Sequence, residues 1–231
     1  MLEEDPDIEL LQLTDDNGDP LEYEDDPGLE ERRELLIWLR QRMYETAIEL
    51  PLTNSQQQEI DKQRTAAGKS PGDWAALTTQ RVTLYRKYKG NWGAGGRFYG
   101  AWYQNCPSEA RRFIQINGEH TIEVDFSSLH PVIIYGRMGL HLKTDPYCIP
   151  GFENDRKMLK LVFQAMLNSG SREQAIKAAR FDRKNKRPFP DADRREQAVT
   201  ALEAHHREID NWFYDGKFNG LNLQSFDSKL A

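Results

Sequence analysis

Apolar and polar residues alternate most cleanly at 112–126, RFIQINGEHTIEVDF. Ile114 and Ile116 precede Asn117-Gly118, and Ile122, Val124 and Phe126 follow it, which predicts an antiparallel hairpin closed by a type I′ turn. Glu123 and Asp125 then fall on the opposite face of the second strand. Pro131 predicts the first turn of a helix running to about Met138, because its missing N–H costs nothing there. Leu35, Leu36, Leu39, Met43 and Ala47 recur at helical spacing and predict an amphipathic helix over about 30–50. Further helices are predicted within the polar stretch 51–72, over Trp74 to Tyr88, and at about 154–167, 172–180 and 193–214. Ser171 and Gln174 form a capping box for the fourth of these, at 172–180. Ala198, Leu202, Ile209, Trp212 and Phe213 supply the apolar side of the last. Between them, KGNWGAGGRFYGAWYQN at 89–105 breaks the pattern with five glycines. The predicted class is α+β, helix-rich, with a small antiparallel sheet at its centre.

Charge divides the chain. Of its 37 Asp and Glu residues, 14 lie in residues 1–31, which contain no Lys or Arg; the remaining 23 face 31 basic residues. The acidic opening, with Pro6, Pro20 and Pro27, is expected to be a disordered tail, and the basic body favours nucleic acid as partner. No apolar run has the length of a membrane span and no leader pattern opens the chain, so a soluble, cytoplasmic protein is expected. Two cysteines, Cys106 and Cys148, are expected to be reduced thiols.

Asp125 is the residue with most chemical promise. A carboxylate at the end of a strand, where a turn into a helix begins, can hold a divalent cation with neighbouring backbone carbonyls as further oxygen ligands. Arg156 and Lys160, four apart, share one helix face and could grip a triphosphate. Plainer roles exist for each: an aspartate there is ordinarily a turn or capping residue, His130 can cap the helix at Pro131, and Arg156 and Lys160 can be a solvated face. Trp92, Phe98, Tyr99, Trp102 and Tyr103 are expected mainly in the core. His205 and His206 are adjacent on a helix and cannot serve one metal.

The order GGR (95–97), Gln104-Asn105-Cys106-Pro107, Arg111-Arg112-Phe113, Val124-Asp125-Phe126-Ser127 and Arg156-x3-Lys160 resembles family A DNA polymerases. There a TGR motif precedes LQNIP, an R-x-x-F segment, the palm motif DYS and the R-x3-K of the fingers helix. GGRFYG is also similar to a segment of single-subunit RNA polymerases. A second likeness, of DFSSLHPVII and Asn168-Ser169, is to family B polymerases, and it gives Asp125 the same job.

The resemblance implies a polymerase-type palm and fingers that binds Mg2+, a DNA primer–template and nucleoside triphosphates. Asp125 becomes a catalytic metal ligand and Phe126 a carbonyl ligand. Arg156, Lys160, His130 and Asn168 become nucleotide-binding, with His130 where a sugar-sensing side chain stands. Arg97, Gln104 and Gln224 become nucleic-acid contacts. Gln164 and Asn168-Ser169 depart from the family's fingers helix, which carries Phe and Tyr-Gly there. The family's second palm motif, H-D-[ES], has no counterpart up to Ala231, so the expectation is a fragment, or a subunit whose other carboxylate comes from a second chain or a missing C-terminal segment. The implied division is a tail at 1–31, a helical region at 32–94, a palm-like region at 95–150 and a fingers-like region at 151–231. The second reading is a non-catalytic nucleic-acid-binding or regulatory protein derived from this fold.

Overall fold

Two leucines of the acidic opening, Leu11 and Leu13, begin the ordered core. In the computed structural model, which describes residues 8–25, 27–69, 82–179, 181–182, 187–188, 192–215 and 220–229, they belong to strand β1 (Leu11–Thr14) and are buried. Composition alone implies a solvated tail for this stretch. The correction is that two apolar side chains on one face of a strand are enough to seat it when a sheet edge is available. β1 pairs in parallel with β3 (Val82–Lys89), Leu11 opposite Arg86 and Leu13 opposite Tyr88, and β4 (Asn91–Ala101) lies on the far side of β3. Helix α1 (Pro27–Tyr44) packs on this sheet through Leu29 and Leu36, with Leu39 and Met43 partly buried. Leu35, expected on its inner face, is exposed.

The helix predicted over Trp74 to Tyr88 is corrected where it is described: 82–89 is strand. Leu84, Arg86 and Tyr88 are buried while Tyr85 and Lys87 are half-buried, a period of two. The rest of that predicted helix, 74–81, lies outside the described residues, as does most of the basic loop at 181–193.

Glycines in β4 allow its backbone to come close to β3. Gly100 has φ +94, and a Cβ there would stand 2.1 Å from the Thr83 carbonyl oxygen. Gly100→Ala is therefore expected to cost about 2 kcal/mol or more, from a strained φ and a backbone clash that no side-chain rotation relieves. A lowered midpoint of urea unfolding would show it; an unchanged midpoint would refute the close approach.

A second sheet joins β2 (Ile48–Glu49), β5 (Gln115–Ile116) and β6 (Glu119–His120), antiparallel throughout. Its hairpin turns at Asn117 (φ 52) and Gly118 (φ 79), the two positive φ values of the expected type I′ turn. Helix α2 (Asn54–Ala66), started by a Thr53–Gln56 capping box, buries Ile60 against Trp102, Cys106, Ala110 and Ile114. Ala110 belongs to the short α3 (Ser108–Arg111). These elements form one compact unit, residues 1–92 and 96–125.

The other unit, residues 93–95 and 126–231, is mainly helical. α4 (Leu129–Arg137), α5 (Arg156–Asn168), α6 (Arg172–Ala178), α7 (Ala192–His205) and α8 (Gly220–Asp227) share one core. Half of the expected capping box forms: the Gln174 amide donates to Ser171 Oγ, while Gln174 Oε1 accepts from the amide of Gly170, one residue before the cap, rather than from that of Ser171. α5 buries Met158, Leu159, Val162, Phe163, Met166 and Leu167, an i, i+4 stripe, each contributing about 1.5–3 kcal/mol of apolar burial. A two-stranded ribbon, β7 (Phe181–Asp182) with β8 (Arg187–Pro188), links α6 to α7.

The class is thus α+β, with sheets of three, three and two strands among the described residues. They do not make the polymerase palm that the resemblance implies. The predicted second strand of the hairpin stops at His120, and Ile122, Val124 and Phe126 are 88%, 83% and 65% exposed. A strand persists only as far as its ladder, and residues 122–126 have no paired strand among those described. The unit boundary after Asp125 also differs from the expected divisions after residues 94 and 150. No described helix is long and apolar enough to cross a membrane.

Candidate functional site

Asp125 closes the first unit in an exposed, irregular segment. Two residues before it, Glu123 takes a two-pronged ion pair from Arg111, at 3.2 and 3.0 Å, which fixes Glu123 rather than leaving it to share a cation with Asp125. Past Phe126 and Ser127 the backbone reverses through Ser128, a non-glycine residue at φ 54, and the Val132 amide donates to the Ser128 carbonyl to open α4. Pro131 stands in that first turn, as expected. A carboxylate followed by a tight turn and a helix is therefore present, but not at the end of a buried strand.

Its suitability for Mg2+ follows from the donors. The Asp125 carboxylate and the Phe126 carbonyl are hard oxygen ligands of the right kind. Among the described residues, however, no three His, Cys, Asp or Glu side chains gather as a metal site. One carboxylate and one carbonyl do not fit a resident pair of ions.

The expected triphosphate residues lie on α5, in the second unit. Arg156 and Lys160 share its exposed face. Arg156 Nε donates to Asp145 Oδ2 at 2.7 Å, and its guanidinium lies 5.4 Å from the centre of the Tyr147 ring. Partial burial pushes the Asp145 carboxyl up, yet the Arg156 hydrogen bond and the Tyr147 amide outweigh it and hold the group below its ordinary range. Burial pushes the Tyr147 phenol up to about 12. Arg156 is thus already engaged, whereas Lys160 is exposed.

The remaining expected residues serve structural contacts that sequence spacing does not reveal. His130 Nε2 lies 3.5 Å from Oδ2 of the buried Asp227, on α8. Asn168 donates to the Gln164 carbonyl and accepts from the Gly220 amide, tying the end of α5 to the start of α8. Gln224 is half-buried on that same helix. In the first unit, Gln104 Nε2 donates to the Phe98 carbonyl at 2.8 Å, and Arg97 is exposed on β4. So His130, Asn168 and Gln224 converge on α8, Arg156 and Lys160 share α5, and Asp125, Arg97 and Gln104 belong to the other unit.

Two features escaped sequence reading. His206 is fully buried, its Nδ1 2.9 Å from the Tyr135 hydroxyl and its Nε2 2.9 Å from the Pro146 carbonyl. A carbonyl only accepts, so Nε2 carries the proton and Nδ1 accepts from Tyr135. Arg137, Trp212 and Phe226 also meet, from three separate elements. Neither set has a local signal, since its members lie far apart in the chain.

Comparison with protein-family models, with curated proteins and with solved structures finds no match to this chain.

Proposed function

We propose that this chain binds nucleic acid as part of a template-directed, DNA polymerase-like nucleotidyl-transferring system, with Asp125 the carboxylate on which transfer depends. The observation that carries this reading is the ordered series of segments from GGR at 95–97 to Arg156-x3-Lys160, together with an exposed Asp125 set directly before a tight turn and a proline-initiated helix. Arg97 and Lys160 are exposed cations suited to phosphate. Mg2+, a primer–template and nucleoside triphosphates are the partners this reading requires, and the missing oxygen ligands have to come from substrate phosphates or from protein groups outside those described.

A second reading, a non-catalytic nucleic-acid-binding or regulatory protein, is favoured by one observation. Arg156, the expected triphosphate ligand, is bound to Asp145 and laid over Tyr147. Primer extension and primer–template binding, measured side by side in Mg2+, separate the two. Extension by the chain that Asp125→Ala abolishes, with binding retained, supports the first reading. Binding with no extension supports the second.

A further inference from the structure

The second unit contains a cleft of about 220 Å³ whose lining includes Arg137, Trp212, Asn222, Ser225, Phe226 and Lys229. Arg137 is the last residue of α4, and its guanidinium lies 4.3 Å from the centre of the Phe226 ring and 5.8 Å from that of Trp212. Lys229 Nζ is 5.8 Å from the Phe226 ring. Two aromatic rings therefore hold one guanidinium in place, and a second cation stands at the same ring. Among the described residues neither cation forms an ion pair with a carboxylate. Phe226 is 39% exposed, unlike the nearly buried Trp212.

Two other clefts differ in sign. One, along α2, is lined by Asp61 beside Lys62, and another is lined by Glu203 and Asp210 beside Arg207. Of these three clefts, the one at Arg137 joins two cations, an accessible ring and uncharged hydrogen-bonding side chains, with no carboxylate in its lining. Cations with a ring platform are what a nucleotide needs: phosphate is held by charge, and a base stacks on a flat face.

We propose that this cleft holds one nucleotide unit of a single-stranded nucleic acid, with Arg137 and Lys229 on the phosphate and the base against the ring and guanidinium of the Phe226–Arg137 pair. Asn222 and Ser225 offer hydrogen bonds to the sugar or the base edge. This rests on the nucleic-acid reading above and gives it a contact surface that does not include Asp125.

The test is fluorescence anisotropy of a labelled single-stranded oligothymidylate with the full chain and with Arg137→Gln, Phe226→Leu, Phe226→Trp and Lys229→Gln. Arg137→Gln and Phe226→Leu are expected to weaken binding about 10-fold, and Phe226→Trp to keep it. Lys229→Gln is expected to reduce the salt dependence by about one phosphate contact. Thermal melts serve as the control: variants that melt like the parent assign the loss to the cleft. Unchanged oligonucleotide affinity in Arg137→Gln and Phe226→Leu overturns the cleft alone and leaves the nucleotidyl-transfer reading to primer extension. Losses confined to a free nucleoside triphosphate, or to inorganic phosphate, overturn the single-strand assignment. A parent chain that binds no oligonucleotide overturns both.

Discussion

His206→Ala is expected to destabilise the helical unit by about 4 kcal/mol, a large part of the stability of an ordinary domain. The ring is fully buried, with ring centres of Phe163 at 5.1 Å and Tyr135 at 5.9 Å. Removing it opens a cavity and leaves the Tyr135 hydroxyl and the Pro146 carbonyl without their partner, and each orphaned group adds a desolvation cost. Urea unfolding of the parent and the variant measures the loss. A change under about 1 kcal/mol would mean that the ring is not packed as described.

The same residue makes stability depend on pH. Burial lowers the His206 pKa from 6.5 to about 4, against a smaller opposing effect of the Pro146 hydrogen bond. The folded protein holds the ring neutral while the unfolded chain takes up a proton below about 6.5. Stability from this group is therefore complete above pH 6.5 and is lost as pH falls toward 4, by roughly 3 kcal/mol over the whole window. Glu109, held at about 2 chiefly by its Lys69 hydrogen bond, contributes in the same direction but only below the ordinary glutamate range. Comparing pH 7 with pH 4.5 thus isolates the histidine. His206→Ala should unfold at nearly the same urea concentration at both, and a variant as acid-sensitive as the parent would refute the assignment.

On the proposed nucleotidyl-transfer reading, Asp125→Ala is expected to lower primer extension at least about 100-fold, since losing even a residue that only supports a metal ligand commonly costs 10- to 100-fold. Stability should hardly change, because the side chain is exposed and lies outside regular structure. The pairing of outcomes matters. Lost extension in a protein that melts normally and still binds primer–template is chemistry; lost extension with a lowered melting temperature would be structural damage. Full activity in Asp125→Ala would end the catalytic role.

Much of the local structure was legible. Asn117-Gly118 had to turn because both positions take positive φ, and Ser171 had to start a helix because its hydroxyl accepts from the Gln174 amide. The apolar stripe of α5 was equally plain. Reading failed where pairing decided the outcome. VTLYRKYK at 82–89 passes for helix or strand, and β1, about 70 residues earlier, makes it a strand. IEVDF at 122–126 has the alternation of a strand but no ladder partner among the described residues, so its apolar side chains stay exposed.

The sequence by itself determined the turns, the helix caps, the α+β class and the identity of Asp125 as the residue to test, all of which depend on neighbours within a few positions. Only the tertiary structure decided that Arg156 is bound to Asp145, that His130 faces Asp227, that His206 is a neutral core donor and acceptor, and that Arg137, Trp212, Phe226 and Lys229 share a cleft. Charges and rings act through space over a few ångströms, and which of them come that close is set by how helices pack, not by their spacing along the chain.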